Sequence, residues 1–191
     1  MDPRLQQAAE SGSIDELYDL IDENPYILEN IDAVPFSTQK GISPLQLAVN
    51  MDQDDFVCRM IWLDGGLARV KGRNSITPFH LLALKGNADL VARSLRKSPE
   101  CIQDESVDRQ NALHLAVMHD RFDVLQVLTG WIQRMSQRDA DSIESRVLNN
   151  VDIDYNMIAR HVLPSDASAI ALGKLPSKHI EEKAGTRQST R

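Results

Sequence analysis

The side chains that could carry acid–base or metal chemistry recur at one spacing along this chain. His80 and His114 are 34 residues apart, and an aspartate follows each of them at the start of the next apolar segment. Imidazole and carboxylate groups commonly act as general bases or as metal ligands. The aspartates Asp55, Asp89 and Asp123 keep the same 34-residue spacing. Because a fixed period of this length indicates a structural repeat, we interpret them as helix starts.

Sequence motifs of established chemistry do not occur in the chain. It has no G-x-x-x-x-G-K-[ST] phosphate loop, no H-E-x-x-H, no C-x-x-C and no G-x-S-x-G. The two cysteines, Cys58 and Cys101, have no partner motif, which favours buried apolar thiols in a reducing compartment. We therefore expect a protein that is not an enzyme, with no cofactor, no metal and no small-molecule substrate.

The bulk composition is that of an ordinary soluble protein. Of 191 residues, 42% are hydrophobic and 26% charged, and the net charge of -7 argues against nucleic acid as a partner. Residues 1–35 hold nine acidic groups and one basic group, and residues 172–191 hold five basic and two acidic groups. No run of about 18 apolar residues occurs, so we expect no transmembrane helix in this chain.

Three segments of the chain align with one another. They are SPLQLAV at 43–49, TPFHLLA at 77–83 and NALHLAV at 111–117, and a polar break follows each of them. A fourth copy, LQQAAESGSIDELYDLI, lies upstream at an offset of 40 residues rather than 34. A missing repeat or a longer loop would explain that offset. Each copy predicts two short helices joined by a turn, and one such pair needs neighbours to bury its apolar face.

Cap residues predict where these helices begin. Ser43, Thr77 and Asn111 are favourable N-caps, and Pro44 and Pro78 occupy the first helical position, where a missing N–H costs nothing.

The breaks within the pairs predict a turn through positive φ. Gly12 and Gly86 suit it, and Asp52 and Asp120 replace glycine in the other copies. Helical spacing predicts a buried stripe on the second helices: Val57, Met60, Ile61, Val91, Leu95, Leu125 and Leu128.

The repeated segments resemble ankyrin repeats, whose hallmark is TPLHLAA followed by a second helix of the G-x-x-x-[IV]-V-x-x-L-L type. His80 and His114 match the histidine of this hallmark, and Gln46 replaces it. The resemblance implies that this histidine is structural and forms hydrogen bonds between units. Ankyrin finger loops usually carry glycine two residues before the Thr position. Ser75 and Arg109 stand there instead, at about 1 kcal/mol each if φ is positive.

Longer phrases, such as DENPYILENIDAVPF and NALHLAVMHDRFDVLQVLTGWIQRM, resemble plant ankyrin proteins with a C-terminal PGG-type transmembrane domain. That family includes the bian da and accelerated cell death groups. The resemblance implies a role in innate-immune or stress signalling at the plasma membrane. Residues 157–191 depart from the family pattern, so we expect a product truncated before the transmembrane part.

The predicted fold is an all-α ankyrin-repeat solenoid with a disordered C-terminal tail. The division along the chain is a cap-like repeat at 1–30, a linker or finger at 31–42, repeats at 43–76, 77–110 and 111–145, an incomplete lead-in at 146–160 and a tail at 161–191.

The resemblance also implies a partner-binding groove formed by finger tips and the exposed ends of the first helices. The residues that it assigns to this groove are Gln39, Lys40, Asn50, Met51, Arg73, Asn74, Leu84, Lys85, Val107, Asp108, Gln110, Met118 and His119. Three of them are cationic, which favours a protein partner that presents acidic groups. Trp62 and Trp131 are expected at the ends of second helices, as lids on the opposite side.

The leading functional prediction is a non-catalytic protein-binding module of plant defence or stress signalling. One alternative is a truncated form of a membrane-anchored ankyrin regulator of immunity. A second alternative is a structural remnant without a stable partner. The expected location is cytoplasmic, and the alternative location is at the plasma membrane.

Overall fold

Regular structure in the described part of the chain is entirely helical. The computed structural model describes residues 2–28, residues 42–139 and Val147, and no strand occurs among them. This confirms the all-α part of the fold prediction. Three predicted segments lie outside the described residues: the linker at 31–42 except for Ile42, the lead-in at 146–160 except for Val147, and the whole tail at 161–191.

Eight helices follow one another in pairs within the described ranges. They are α1 (Pro3–Ser11), α2 (Ile14–Glu23), α3 (Pro44–Asn50), α4 (Asp54–Leu63), α5 (Pro78–Lys85), α6 (Ala88–Lys97), α7 (Ala112–Met118) and α8 (Phe122–Asp139). Short 3-10 turns join some of them, at Gly65–Arg69, Arg73–Ser75 and Pro99–Gln103.

The 34-residue period is present in the backbone as well as in the sequence. The first residues of α3, α5 and α7 are Pro44, Pro78 and Ala112, which are 34 positions apart. Helices α4 and α6 keep the same offset at both ends, and so do the 3-10 turns that follow them. The three copies therefore fold as one repeated unit, and we call each first member of a pair an inner helix and each second member an outer helix.

The predicted N-caps are confirmed. Ser43, Thr77 and Asn111 each accept a hydrogen bond from the backbone N–H of the third helical residue. The side chain of that third residue bonds back to the cap's own N–H, which completes a capping box. Each box satisfies two donors that a helix start leaves unpaired, so the short inner helices begin at defined residues.

The turns within the pairs have positive φ, as predicted. Gly12 and Gly86 have φ of 72° and 89°, and Asp52 and Asp120 have φ of 57° and 55°. Aspartate tolerates this region better than most residues, because its short side chain can bond locally. The same turn therefore forms in all four copies with two different residue types.

Two rows of helices enclose the core. Neighbouring inner helices pack on one another from α1 to α7, and the outer helices pack in the same order from α2 to α8. All seven residues of the predicted outer-helix stripe are buried, and Phe56 and Phe79 are fully enclosed between the rows. Burial of a large apolar side chain contributes about 1.5–3 kcal/mol. Because one pair leaves half of its apolar face open, each pair depends on its neighbours.

The last outer helix is longer than expected. We placed Trp131 at its end, but α8 continues to Asp139. The residues after Trp131, with the sequence IQRMSQRD, contain no proline or glycine and include several good helix formers. Trp131 is therefore half-buried inside the helix and packs against the core.

Two finger loops lie between units. We define finger A as residues 70–76 and finger B as residues 104–110. A backbone bond spans each of them, from Gly72 N–H to Ile76 O at 2.9 Å in finger A and from Ser106 N–H to Gln110 O at 2.9 Å in finger B. Ser75 and Arg109 have φ of 56° and 59°, so the two positions that lack the usual glycine do hold left-handed backbone.

We expect the described array to unfold in urea as one transition, because every pair shares its core with the next. Far-UV circular dichroism and tryptophan fluorescence should give the same midpoint. A shallow loss of helix, or two separate midpoints, would show that the units unfold independently and would favour the interpretation as a remnant.

Replacing Ser75 by glycine should stabilise the chain. Relief of the left-handed strain exceeds the extra entropy that glycine gives the unfolded state, so we expect a gain of about 0.5–1 kcal/mol in the free energy of unfolding. Ser98, with φ of -141°, is the matched control, and Ser98→Gly should not stabilise. A loss of stability in Ser75→Gly would contradict the strain argument. The measurement is the urea midpoint of each variant.

Candidate protein-binding surface

The hallmark histidine of unit 77–110 links its helix to the next finger. The ring of His80 is fully buried. Its Nδ1 accepts the backbone N–H of Thr77 at 3.1 Å, which assigns the proton to Nε2. Nε2 then donates to the carbonyl of Asp104 at 3.0 Å, at the start of finger B. One neutral side chain thus fixes a helix start and the loop that leads to the next unit.

Gln46 makes the same link in the preceding unit. Its Oε1 accepts the backbone N–H of Ser43 at 2.9 Å, and its Nε2 donates to the carbonyl of Ile76 at 2.6 Å. An amide can do this because, like neutral imidazole, it offers one acceptor and a donor in a single side chain. Sequence reasoning noted the substitution of histidine by Gln46 but did not predict that the link would survive it.

The third unit carries a related link. The ring of His114 is buried, and its Nδ1 accepts the backbone N–H of Asn111 at 3.3 Å. The side-chain amide of Asn111 donates to the carbonyl of Val147 at 2.9 Å. Val147 is itself buried. His80 thus reaches the next finger directly, whereas in the third unit His114 holds the cap and Asn111 makes the longer-range bond.

The environment of His80 is unsuited to acid–base chemistry. Burial lowers the pKa of its imidazole to about 4, and the hydrogen bond to the Asp104 carbonyl opposes only part of that shift. Both ring nitrogens are occupied by the protein and the side chain has no exposed surface. A substrate therefore has no access to this ring.

The two fingers lie side by side. The N–H of Val107 in finger B donates to the carbonyl of Asn74 in finger A at 2.9 Å. Arg73, Asn74, Val107 and Asp108 are exposed. Beside finger B, the amide of Gln110 lies 3.4 Å from the sulfur of Met118, at the end of α7. Finger B and the end of α7 thus lie close together.

Large apolar side chains are exposed on these elements. Met51 is 51% exposed, Met118 49% and Val107 61%, whereas Leu84 is half-buried. Asn50 and His119, beside the two methionines in sequence, are also exposed. Exposed apolar side chains of this size are typical of interface centres, with polar residues around them.

The charge of Lys85 is used within the protein. Its ammonium group donates to the carbonyl of Asn50 at 2.9 Å and pairs with the carboxylate of Asp52. Arg121 makes the analogous link one unit later, from Nε to the carbonyl of Leu84 at 2.8 Å. Lys85 therefore joins two units and is not a free cation of the groove.

Two other cations on finger A keep their charge available. Lys71 and Arg73 are exposed, and neither has a carboxylate within 4.0 Å among the described residues. Gln39 and Lys40, which we also assigned to the groove, lie outside the described residues. The described part of the groove is therefore cationic at finger A and apolar at Met51, Val107 and Met118.

The edge where inner helices turn into outer helices is acidic. A shallow open cavity of about 490 Å³ lies there, and its lining includes Asp52, Asp54, Lys85, Asn87 and Asp123. The amide of Asn87 donates to the carboxylate of Asp54 at 2.9 Å, which ties the two units together. Across the described ranges, no group of three or more His, Cys, Asp or Glu side chains could hold a metal ion.

Comparison with known proteins adds no relative to this picture: no protein-family model matches the chain, and no curated protein matches it. None of the helices in the described ranges has the length and apolar character needed to cross a bilayer.

Substitutions of His80 should show how much of the stability comes from its hydrogen bonds and how much of the pH dependence comes from protonation of its ring. The folded pKa, about 4, lies below the usual 6.5, so the unfolded state binds more protons between these values. Stability should therefore fall as pH drops from about 6.5 to 4, by on the order of 3 kcal/mol, and stay level above pH 7.

His80→Gln should keep the link, as Gln46 does, and remove most of this pH dependence. His80→Leu should lose at least about 2 kcal/mol at pH 7, because buried polar groups lose their partner. His119→Gln, at an exposed position, is the control. The measurement is the urea midpoint from pH 4 to pH 8, and an unchanged profile in His80→Gln would contradict this account.

Proposed function

We propose that this chain is an ankyrin-repeat array that binds a protein partner along its fingers and inner-helix ends and performs no catalysis. The observation that carries the proposal is the exposure of Met51, Val107 and Met118 on the repeated elements that the resemblance assigns to a groove. A solenoid of stacked helix pairs offers such a continuous surface, because every unit adds one finger and one helix end.

The charges on finger A define the partner further. Lys71 and Arg73 stand out in a chain with a net charge of -7, and no described carboxylate offsets them. A partner with acidic groups beside an apolar side chain matches both features of the groove. Charge complementarity of this kind mainly sets the association rate and the specificity.

The biological setting follows from resemblance alone. The repeated segments and the longer phrases around them resemble the plant ankyrin family with a PGG-type domain, so we propose a role in plant defence or stress signalling. The absence of a phosphate loop, a zinc motif or a nucleophile motif from the sequence supports a binding module over an enzyme.

Selection of peptides from a randomised display library on the whole chain tests the proposal. We expect enriched peptides to be acidic and to carry an apolar residue. The double variant Lys71→Glu, Arg73→Glu should weaken their binding more than tenfold, about 1.4 kcal/mol or more, because it turns attraction into repulsion. Met118→Asp should weaken it through loss of apolar contact.

The matched control is the double variant Arg96→Glu, Arg134→Glu, which makes the same charge change at exposed positions of outer helices α6 and α8. It should leave this binding within about twofold. Failure to enrich any saturable binder, or equal binding by the finger variant and the parent chain, would overturn the proposal. Far-UV circular dichroism confirms that each variant is folded.

A further inference from the structure

A ladder of alternating rings and cations crosses the outer helices. The guanidinium carbon of Arg59 on α4 lies 5.7 Å from the ring centre of Tyr18 on α2 and 6.0 Å from that of Trp62. The ammonium nitrogen of Lys97 on α6 lies 5.3 Å from the centre of the Trp62 ring. We call these four residues the aromatic ladder, and it connects three consecutive helix pairs.

Trp62 is exposed although it is the largest side chain on this face. Its exposed fraction is 60%, and Tyr18 is exposed as well. Tryptophan contributes most to binding when a partner covers it, and tryptophan, tyrosine and arginine are the residues most enriched in binding hot spots. The two flanking cations hold the ring in a defined place, so little entropy would be lost on binding.

The cations of this face are not neutralised by the protein. Arg59, Arg96 and Lys97 have no carboxylate within 4.0 Å in the described part of the chain. Arg93 is different, because it pairs with Asp89 at 3.0 Å. On α6, Arg96 and Lys97 both lie in the last turn, so the end of α6 presents two positive charges side by side.

We propose that the aromatic ladder is a second binding surface, independent of the fingers, which takes a short acidic protein segment with an apolar side chain among its carboxylates. Carboxylates pair with Arg59 and Lys97 on the two sides of the ring, and the apolar side chain covers Trp62. In an extended segment, residues i, i+2 and i+4 lie on one face, so two carboxylates four residues apart are separated by roughly 13 Å with an apolar side chain midway between them, which suits cations on either side of one indole.

A narrow segment fits this face better than an anionic membrane does. Exposed carboxylates lie near the ladder on the same helices, at Asp22, Asp55 and Asp64. A flat lipid surface would bring its phosphates against these carboxylates as well as against the cations. A peptide that crosses helices spaced about 8–10 Å apart can follow the ladder and avoid them.

Labelled peptides of about eight residues test this surface, with two glutamates four positions apart and leucine or phenylalanine midway between them. Fluorescence anisotropy with the whole chain should show saturable binding. Trp62→Ala and the double variant Arg59→Gln, Lys97→Gln should each weaken it tenfold or more. A probe with glutamine in place of glutamate should not bind, since the cations would have no charge to pair with.

The matched control is Lys71→Gln, Arg73→Gln, which removes the same charge from finger A and should change the Trp62-dependent part of the binding less than twofold. Lys97→Gln alone is a second variant at an exposed side chain, and far-UV circular dichroism checks that it is folded. Binding of library-selected peptides at the fingers should be unchanged in Trp62→Ala, which separates this surface from the groove.

Three results would overturn the proposal. The first is the absence of saturable binding by any acidic probe. The second is an equal loss in the finger control and in the ladder variants, which would indicate attraction by net charge alone. The third is Trp62-dependent capture by phosphatidylserine vesicles without peptide binding, which would assign the ladder to a lipid surface.

Discussion

The array depends on one kind of polar link, made by the third residue of the inner helices α3 and α5. Gln46 and His80 each accept the N–H of the cap residue and donate to a carbonyl of the following finger. A buried polar group without a partner costs about 1–3 kcal/mol, so the helix start and the finger must be in place together. The link thereby couples local helix formation to the packing of the next unit, which an apolar residue of similar size could not do.

The contacts that join the units lie in the interior and along the edge where inner helices turn into outer helices. The fingers and the outer helices are therefore available to contact a partner. Lys85 and Arg121 hold neighbouring units together at the turn between inner and outer helices, so both side chains are already bonded to groups of this protein. Finger A and the outer face of α6 keep cations that no described carboxylate offsets. A chain with a net charge of -7 therefore presents two separate positive surfaces on opposite layers.

Local features were predictable from sequence, and features shared between units were not. The caps, the positive-φ turns and the buried stripe follow from residues a few positions apart, and all are confirmed. The pairing of Lys85 with Asp52 joins residues 33 positions apart, and only the stacked backbone brings them together. The aromatic ladder contains Tyr18, Arg59 and Lys97, which lie on three different helices, so no local sequence pattern predicts it. The ankyrin assignment and the groove remain predictions from resemblance.

The polar link is made by an amide in one unit and by an imidazole in the next, so the two units respond differently to acid. The amide of Gln46 does not titrate, so its link to finger A is the same at every pH in the physiological range. The link at His80 requires a neutral ring, whose pKa burial lowers to about 4. Below that pH the proton competes with the backbone N–H of Thr77 for Nδ1. Acid therefore removes the polar link between α5 and finger B but leaves the link between α3 and finger A in place, so the two joints lose their polar support at different pH values.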